Sequence, residues 1–357
     1  MKMSSLLKTI TVAGLAGTFA LALVSTADAQ RVKWKLHTAW GSSVPHIGVE
    51  AVRFADDIKA LSGGTFILKH FEPGALVPAN EGFDAVSKGA IEAAWGTAGY
   101  DVGKYPALAF FTAVPFGPTL GEYMGWIWYG GGKEIGQRVY NKHNIHPMHC
   151  MAIGPETSGW FRTEITSLEQ LRGLKMRFFG LGARVMQKLG VSTQLLAGGD
   201  IFPALEKGVI DATEFSMPAM DIKYGFYQVA KNNYFPGWHQ QVSIGILHVN
   251  MDKWKSLSAQ NKKIMEVACR SSMLRSYVET EAVNPKAMVE MGTKYGVKTH
   301  RWKDEQLAVF EKAWMQVLEE DAKKDPLFKE TADSYHAFRK MYAKWGEAQA
   351  LKPTYLD

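Results

Sequence analysis

One stretch of this chain occurs twice. Residues 83–93 read FDAVSKGAIEA and residues 202–212 read FPALEKGVIDA, sharing Phe, Ala, an aliphatic, Lys-Gly, Ile, an acid and Ala in the same order. Each copy has the pattern of a helix, a Lys-Gly stop with the glycine in the left-handed region, and a short strand. Helix–Lys-Gly–strand units are common in α/β folds, so convergence is the alternative to structural equivalence. A unit used once in each half predicts two similar lobes with a cleft between them. Ligands of such folds bind at the C-terminal ends of strands and at domain interfaces. The segments just after each copied strand, Gly96 to Tyr100 and Glu214 to Pro218, are therefore cleft candidates.

The flanking pattern agrees with an α/β class. Val32 to His37 alternates apolar and polar residues, which reads as a strand. Val49, Val52, Ala55 and Ile58 recur at helical spacing, and Ser62-Gly63-Gly64 ends that helix. Thr65 to Phe71 reads as a second strand, giving a strand–helix–strand unit. The last third is helical. Ser258 caps a helix expected to kink or end at Pro285. Asp304 starts another, with Leu307, Phe310, Trp314 and Val317 on one stripe, and a final helix carries Tyr335, Phe338, Tyr342 and Trp345. Core packing is the plainer account of these stripes. Aromatics left exposed on the last helix would suit a partner subunit.

The N-terminus has the form of an export signal. Lys2 and Lys8 precede an apolar run from Ile10 to Val24, and Ala27-Asp28-Ala29 is a small-x-small cleavage site. Spanning a bilayer takes ~20 apolar residues, so cleavage is expected rather than anchoring. Residues 1–29 then read as a signal peptide and the periplasm as the destination. Across 357 residues, 41 basic against 35 acidic side chains leave a mild excess spread along the chain, which disfavours a dedicated nucleic-acid binder. Cys150 and Cys269 allow at most one disulfide, and two buried free thiols account for them equally well.

Enzyme signatures are missing: there is no G-x-S-x-G elbow, no H-E-x-x-H and no P-loop. Gly130-Gly131-Gly132 lacks Walker spacing and reads as a helix break. His143, His146 and His149 straddle Pro147, and a surface loop accounts for them better than a metal site. What remains is carboxylate recognition. In Gly173 to Phe178 the apolar Leu174, Met176 and Phe178 alternate with Lys175 and Arg177. An arginine at a strand end is a planar fork for a carboxylate, although a surface ion pair is an equal alternative. Glu214 follows a strand expected over Val209 to Thr213. In an apolar cleft it needs an arginine or a metal. Glu156 sits in the turn Gly154-Pro155-Glu156-Thr157-Ser158-Gly159 and by itself is only a loop carboxylate.

Several segments together resemble the solute-binding proteins of TRAP (tripartite ATP-independent periplasmic) transporters over the whole mature chain. They are Phe71-Glu72-Pro73-Gly74-Ala75-Leu76-Val77, Pro106-Ala107-Leu108-Ala109-Phe110-Phe111, Gly159-Trp160-Phe161, Leu171-Arg172-Gly173-Leu174-Lys175-Met176-Arg177 and Tyr234-Phe235-Pro236-Gly237-Trp238. The likeness is strongest to the branch that binds small 2-oxo or 2-hydroxy monocarboxylates with a cation. It implies two α/β lobes around a cleft, hinge strands and a long helix crossing both lobes. Residues 30–152 would form mainly the first lobe, 153–250 mainly the second, and 251–357 the crossing helix and the C-terminal helices. It implies that Arg177 pairs with the substrate carboxylate. It implies that a metal ion, Ca²⁺ or Na⁺, is held by Glu156, Glu214 and the main-chain carbonyl of Phe215. Tyr100, Trp40 and Trp238 would shield the ligand. No organic cofactor is implied; the partners are a small organic acid and TRAP membrane subunits, with a homodimer through the last helix.

Two departures from that branch matter. Glu156 replaces an amide and Phe215 a tryptophan. The added negative charge favours Ca²⁺ over Na⁺, or else the cation is gone and the ligand carries a donor to Glu156. A larger or aromatic acid bound without metal, and an exported enzyme using Glu214 as base, are the competing expectations.

Overall fold

The computed structural model describes residues 31–351; the export signal expected over residues 1–29 lies outside them. The chain starts as the pattern predicts. β1 (Val32–Thr38) buries Trp34 and Leu36 and exposes Lys33 and Lys35. α1 (Ile47–Leu61) buries Phe54 and Ile58, and Gly63 and Gly64 follow it at φ 59 and 80. β2 (Phe66–Phe71) then pairs parallel with β1. The first copy of the repeat forms α2 (Gly82–Ser87), a left-handed Gly89 at φ 74, and β3 (Ala93–Gly96) on the other side of β1. α3 (Leu120–Tyr129) and α4 (Gly132–Asn141) meet at the glycine run, where Gly131 takes φ 92.

β4 (Ile145–Ile153) corrects one expectation: His146, Pro147 and His149 lie in a strand, not in a surface loop. β4 is the edge of its sheet, the position where a strand tolerates a proline.

The second sheet is built from β5 (Gly159–Phe161), β6 (Lys175–Arg177), β7 (Ser192–Gln194), β8 (Ala212–Thr213) and β9 (Asn232–Phe235). α5 (Gly180–Lys188) joins β6 to β7, and α6 (Gly198–Glu206) belongs to the second copy of the repeat. Gly208 takes φ 70, matching Gly89. The strand after it starts only at Ala212, because Val209 is 53% exposed and still in the turn. α7 (Pro218–Tyr224) leads to β9. β10 (Ser243–Asn250) then returns to the first sheet, although it ends the segment expected to be mainly the second lobe.

The first sheet runs β2-β1-β3-β10-β4. α8 (Met251–Ser256), α9 (Ala259–Thr293), β11 (Lys298–Arg301), α10 (Asp304–Lys324) and α11 (Pro326–Gln349) complete the chain, and the second sheet runs β11-β9-β5-β8-β6-β7. The two orders coincide around the repeat. β3 pairs parallel with β1 and antiparallel with β10, as β8 pairs parallel with β6 and antiparallel with β5. Ala93 and Ala212, the last residue of each copy, pair with Leu36 and Met176.

α9 is capped by Ser258, whose hydroxyl accepts from the Asn261 N–H, and it runs unbroken through Pro285. The proline removes one helical donor, yet neighbours hold the helix in the turns before it, and Ala287 and Met291 are buried after it. Ser276 and Thr280 accept from the backbone of Ala152 and Gly154 beside the first sheet. Asn284 accepts from the Ala219 N–H in α7, on the second lobe. This one helix therefore crosses both lobes. Cys150 in β4 and Cys269 in α9 form a disulfide, which settles the pairing that their number left open.

Candidate functional site

Strand ends and the turns after them meet between the sheets. They form a small cavity lined by Trp40, Tyr100, Glu156, Arg177, Phe179 and Phe215. Both cleft segments expected from the repeat contribute: Thr97 and Tyr100 after β3, and Phe215 and Ser216 after β8.

Arg177 ends β6 and is 1% exposed, so the surface ion pair is excluded. Its Nη1 donates to the Glu214 carboxylate at 2.8 Å and to the Glu214 carbonyl at 2.8 Å, and its Nε donates to the Leu196 carbonyl at 3.3 Å. Glu214 is fully buried. Its Oε1 also accepts from the Phe179 N–H at 2.5 Å, while its Oε2 lies 3.4 Å from His239 Nε2. Burial pushes the Glu214 carboxyl up, but the Arg177 guanidinium, His239 and the Phe179 amide more than offset this and hold it below its usual range.

Glu156 is 3% exposed, and weak contacts from Ser216 and Ser243 to its Oε1 at 3.3 and 3.5 Å are its polar neighbours. Burial first, and then the charges of Glu214 and Asp221, raise it well above the usual carboxylate range. The turn that carries it is packed tightly: a Cβ on Gly237 would lie 2.1 Å from the Glu156 carbonyl oxygen.

Glu156, Glu214 and His239 each offer one ligand atom, and these atoms lie within 4.8 Å of one another. Glu156 Oε2 is buried without a hydrogen-bond donor, and Glu214 Oε2 has only His239 Nε2 near it, at 3.4 Å. Two such buried carboxylate oxygens fit a bound cation, since leaving them unpaired is costly. Phe215 lines the same cavity, and its ring stands 5.4 Å from the Arg177 guanidinium carbon.

Trp40 and Tyr100 close one wall, the Trp40 Nε1 donating to the Tyr100 hydroxyl at 2.9 Å. Trp238 corrects another expectation. It does not line the cavity; it is packed in the core against Phe116, Phe178 and Phe310. Its neighbour His239 is the residue that meets Glu214, while Gln240 and Ser243 line the cavity wall. The sequence offered no signal for His239 beyond its place directly after the Pro-Gly-Trp segment.

Two α/β lobes, a helix that crosses both and a charged pocket between them define a binding protein that encloses its ligand. Residues 37–325 match the family described as bacterial extracellular solute-binding protein, family 7, and the chain belongs to that family. A monocarboxylate 2-oxoacid-binding periplasmic protein of Nostoc sp. is 35% identical over 321 residues, covering 90% of this chain and 87% of its own. A TRAP transporter solute binding protein from Bordetella bronchiseptica matches with a TM-score of 0.87 and 34% identity, covering 89% of this chain and 95% of its own. That structure is a mixed-occupancy dimer with calcium and picolinate in one site and an apo site in the other. A TRAP periplasmic solute binding protein from Pseudoalteromonas atlantica with bound sodium and pyruvate matches with a TM-score of 0.86 and 28% identity, covering 89% of this chain and 97% of its own.

Proposed function

We propose that this protein captures a small 2-oxo monocarboxylate together with Ca²⁺ and delivers it to TRAP membrane subunits for uptake. It would do so in the periplasm, after removal of residues 1–29. One observation carries the ligand reading: Glu156, which lines the buried cavity with Arg177, offers a carboxylate oxygen without a donor and lies with Glu214 and His239 in one cluster of ligand atoms within 4.8 Å of one another. Arg177 would hold the ligand carboxylate by charge-assisted bonds. Glu156, Glu214 and the Phe215 carbonyl would hold the cation, which also meets the ligand's 2-oxo oxygen. Calcium is a hard ion that prefers oxygen, so His239 is better suited to orienting Glu214 than to ligating.

Charge supports calcium over sodium. Two carboxylates, one guanidinium, a divalent ion and a monocarboxylate cancel. With a monovalent ion the sum cancels only if Glu156 keeps its proton, and a protonated carboxyl is a poorer ligand than the carboxylate a divalent ion would hold. The related structures are consistent with either ion: one holds calcium with picolinate and another sodium with pyruvate. Picolinate also keeps an aromatic acid within the chemistry to be tested. The exported-enzyme alternative is weaker, because Glu214 is already engaged by Arg177 and the Phe179 amide and is a poor proton acceptor.

The test is thermal unfolding of the mature protein with pyruvate, longer 2-oxo acids and picolinate, with calcium, sodium or chelator. A ligand at a hundred times its Kd adds about 2.7 kcal/mol, a readily measured shift in Tm. The expected outcome is a shift that chelator removes, calcium restores better than sodium, and Arg177→Ala abolishes. A shift indifferent to chelator would retire the cation. Unchanged binding by Arg177→Ala would move the site elsewhere.

A further inference from the structure

Gly99 lies in the short turn Ala98–Tyr100 after β3. It is not among the glycines with positive φ, so the backbone there does not demand a glycine. Space demands it. A Cβ built on Gly99 would sit 1.8 Å from Cζ of Phe179 and 2.5 Å from both Cε atoms. Phe179 belongs to the opposite lobe, between β6 and α5. Its ring also meets Tyr100 edge-on, with centroids 5.6 Å apart. The same residue touches the ligand site. Phe179 lines the cavity, its N–H donates to Glu214 Oε1 at 2.5 Å, and its ring lies 5.9 Å from the Arg177 guanidinium carbon. One residue of the second lobe therefore holds a site carboxylate through its backbone and seats its ring on bare backbone of the first lobe.

We propose that Phe179 is a positioning residue that couples occupancy of the site to lobe closure, and that Gly99 is its seat. The inference rests on the receptor reading above. Fixing Glu214 around a cation fixes the Phe179 amide that donates to it, and so aims the ring at the opposite lobe. The contact spans the lobes, so separating them breaks it. Bulk at position 99 then penalises the closed state and leaves the open state alone. Apparent affinity falls in proportion to the closed fraction. Phe179 also forms part of the cavity wall, so it sets how large a side chain the ligand can carry while the lobes still meet.

The test uses the full mature protein, with pyruvate and calcium as probe, titration calorimetry for affinity and X-ray solution scattering for compaction. Gly99→Ala is expected to bind roughly fivefold to a hundredfold more weakly, the penalty typical of overpacking. It should compact less on binding and should melt, without ligand, at the wild-type temperature. Phe179→Ala should also bind more weakly and should favour longer 2-oxo acids over pyruvate. The double variant Gly99→Ala/Phe179→Ala should bind no worse than Phe179→Ala alone, because the ring that clashes is gone. Wild-type binding and compaction by Gly99→Ala would overturn the inference while leaving the receptor reading intact. So would additive losses in the double variant, or an equal loss of Tm without ligand. If the wild-type protein binds neither pyruvate nor calcium, the receptor reading fails and this inference falls with it.

Discussion

Glu156 is the residue that most sets this pocket apart. It is a carboxylate with one oxygen lacking any donor, in a space already holding Glu214 and, behind it, Asp221. Glu156→Gln should therefore sharply reduce the calcium-dependent part of the melting shift, measured by calcium titration at fixed pyruvate, and leave a dependence on Arg177. Asp221 accepts from Trp160 Nε1 at 2.7 Å, and burial pushes its carboxyl up from 3.8 to about 8. The sign of its pH effect follows. The unfolded chain ionises this group near its ordinary value while the folded protein keeps the proton, so stability falls as pH rises toward the folded value. The buried histidines His149 and His248, lowered to about 4 and about 3, act oppositely, but only below their ordinary 6.5. Metal-free protein should thus lose thermal stability between pH 6.5 and 8, and Asp221→Asn should reduce that slope in a pH series of melting curves, the raised Glu156 carboxyl contributing the rest. Local pattern left open that Arg177 formed a surface ion pair, but the positions of Arg177 and Glu214 were legible, at a strand end and just after a copied strand. His239 was not, since its only distinction is a contact with a residue distant in the chain.

At the scale of elements, the join between β4 and α9 matters most. The Cys150–Cys269 bridge closes 119 residues of chain. A loop of that length confines the unfolded state enough to add about 4 to 5 kcal/mol in the chain-entropy account. Replacing both cysteines with alanine should lower the denaturant midpoint accordingly, with little change in pyruvate affinity, because neither cysteine lines the ligand cavity. α9 also shows why Pro285 misled. Local propensity predicts a break there, but the helix gains side-chain contacts with β4 and with α7 in the turns before the proline and buries Ala287 and Met291 after it. Tertiary packing outweighs one missing hydrogen bond. β4 teaches the same lesson in reverse: its proline is admissible only because the strand ends the sheet, and strand order is not written in any local stretch.

On the scale of the whole molecule, α11 leaves a face uncovered. Tyr335 is buried against Phe110 and Trp126, while Met341 and Trp345 are 66% and 60% exposed further along the helix. If that face joins two copies of the chain, Trp345→Glu with Met341→Glu should reduce the mass seen by sedimentation to that of a monomer and leave ligand affinity unchanged.

The sequence by itself determined the α/β class and the two-fold use of one helix–strand unit, and it put an arginine at a strand end and a glutamate after the second copied strand. Each is set by short-range chemistry: hydrophobic period, glycine at a left-handed turn, and charge at a strand end. Only the tertiary structure decided that the cysteines pair, that Trp238 is core while His239 faces Glu214, that Arg177 is wholly buried, and that Phe179 closes onto Gly99. Those facts depend on which distant segments meet, and a chain's local pattern constrains which face is buried without saying what it is buried against.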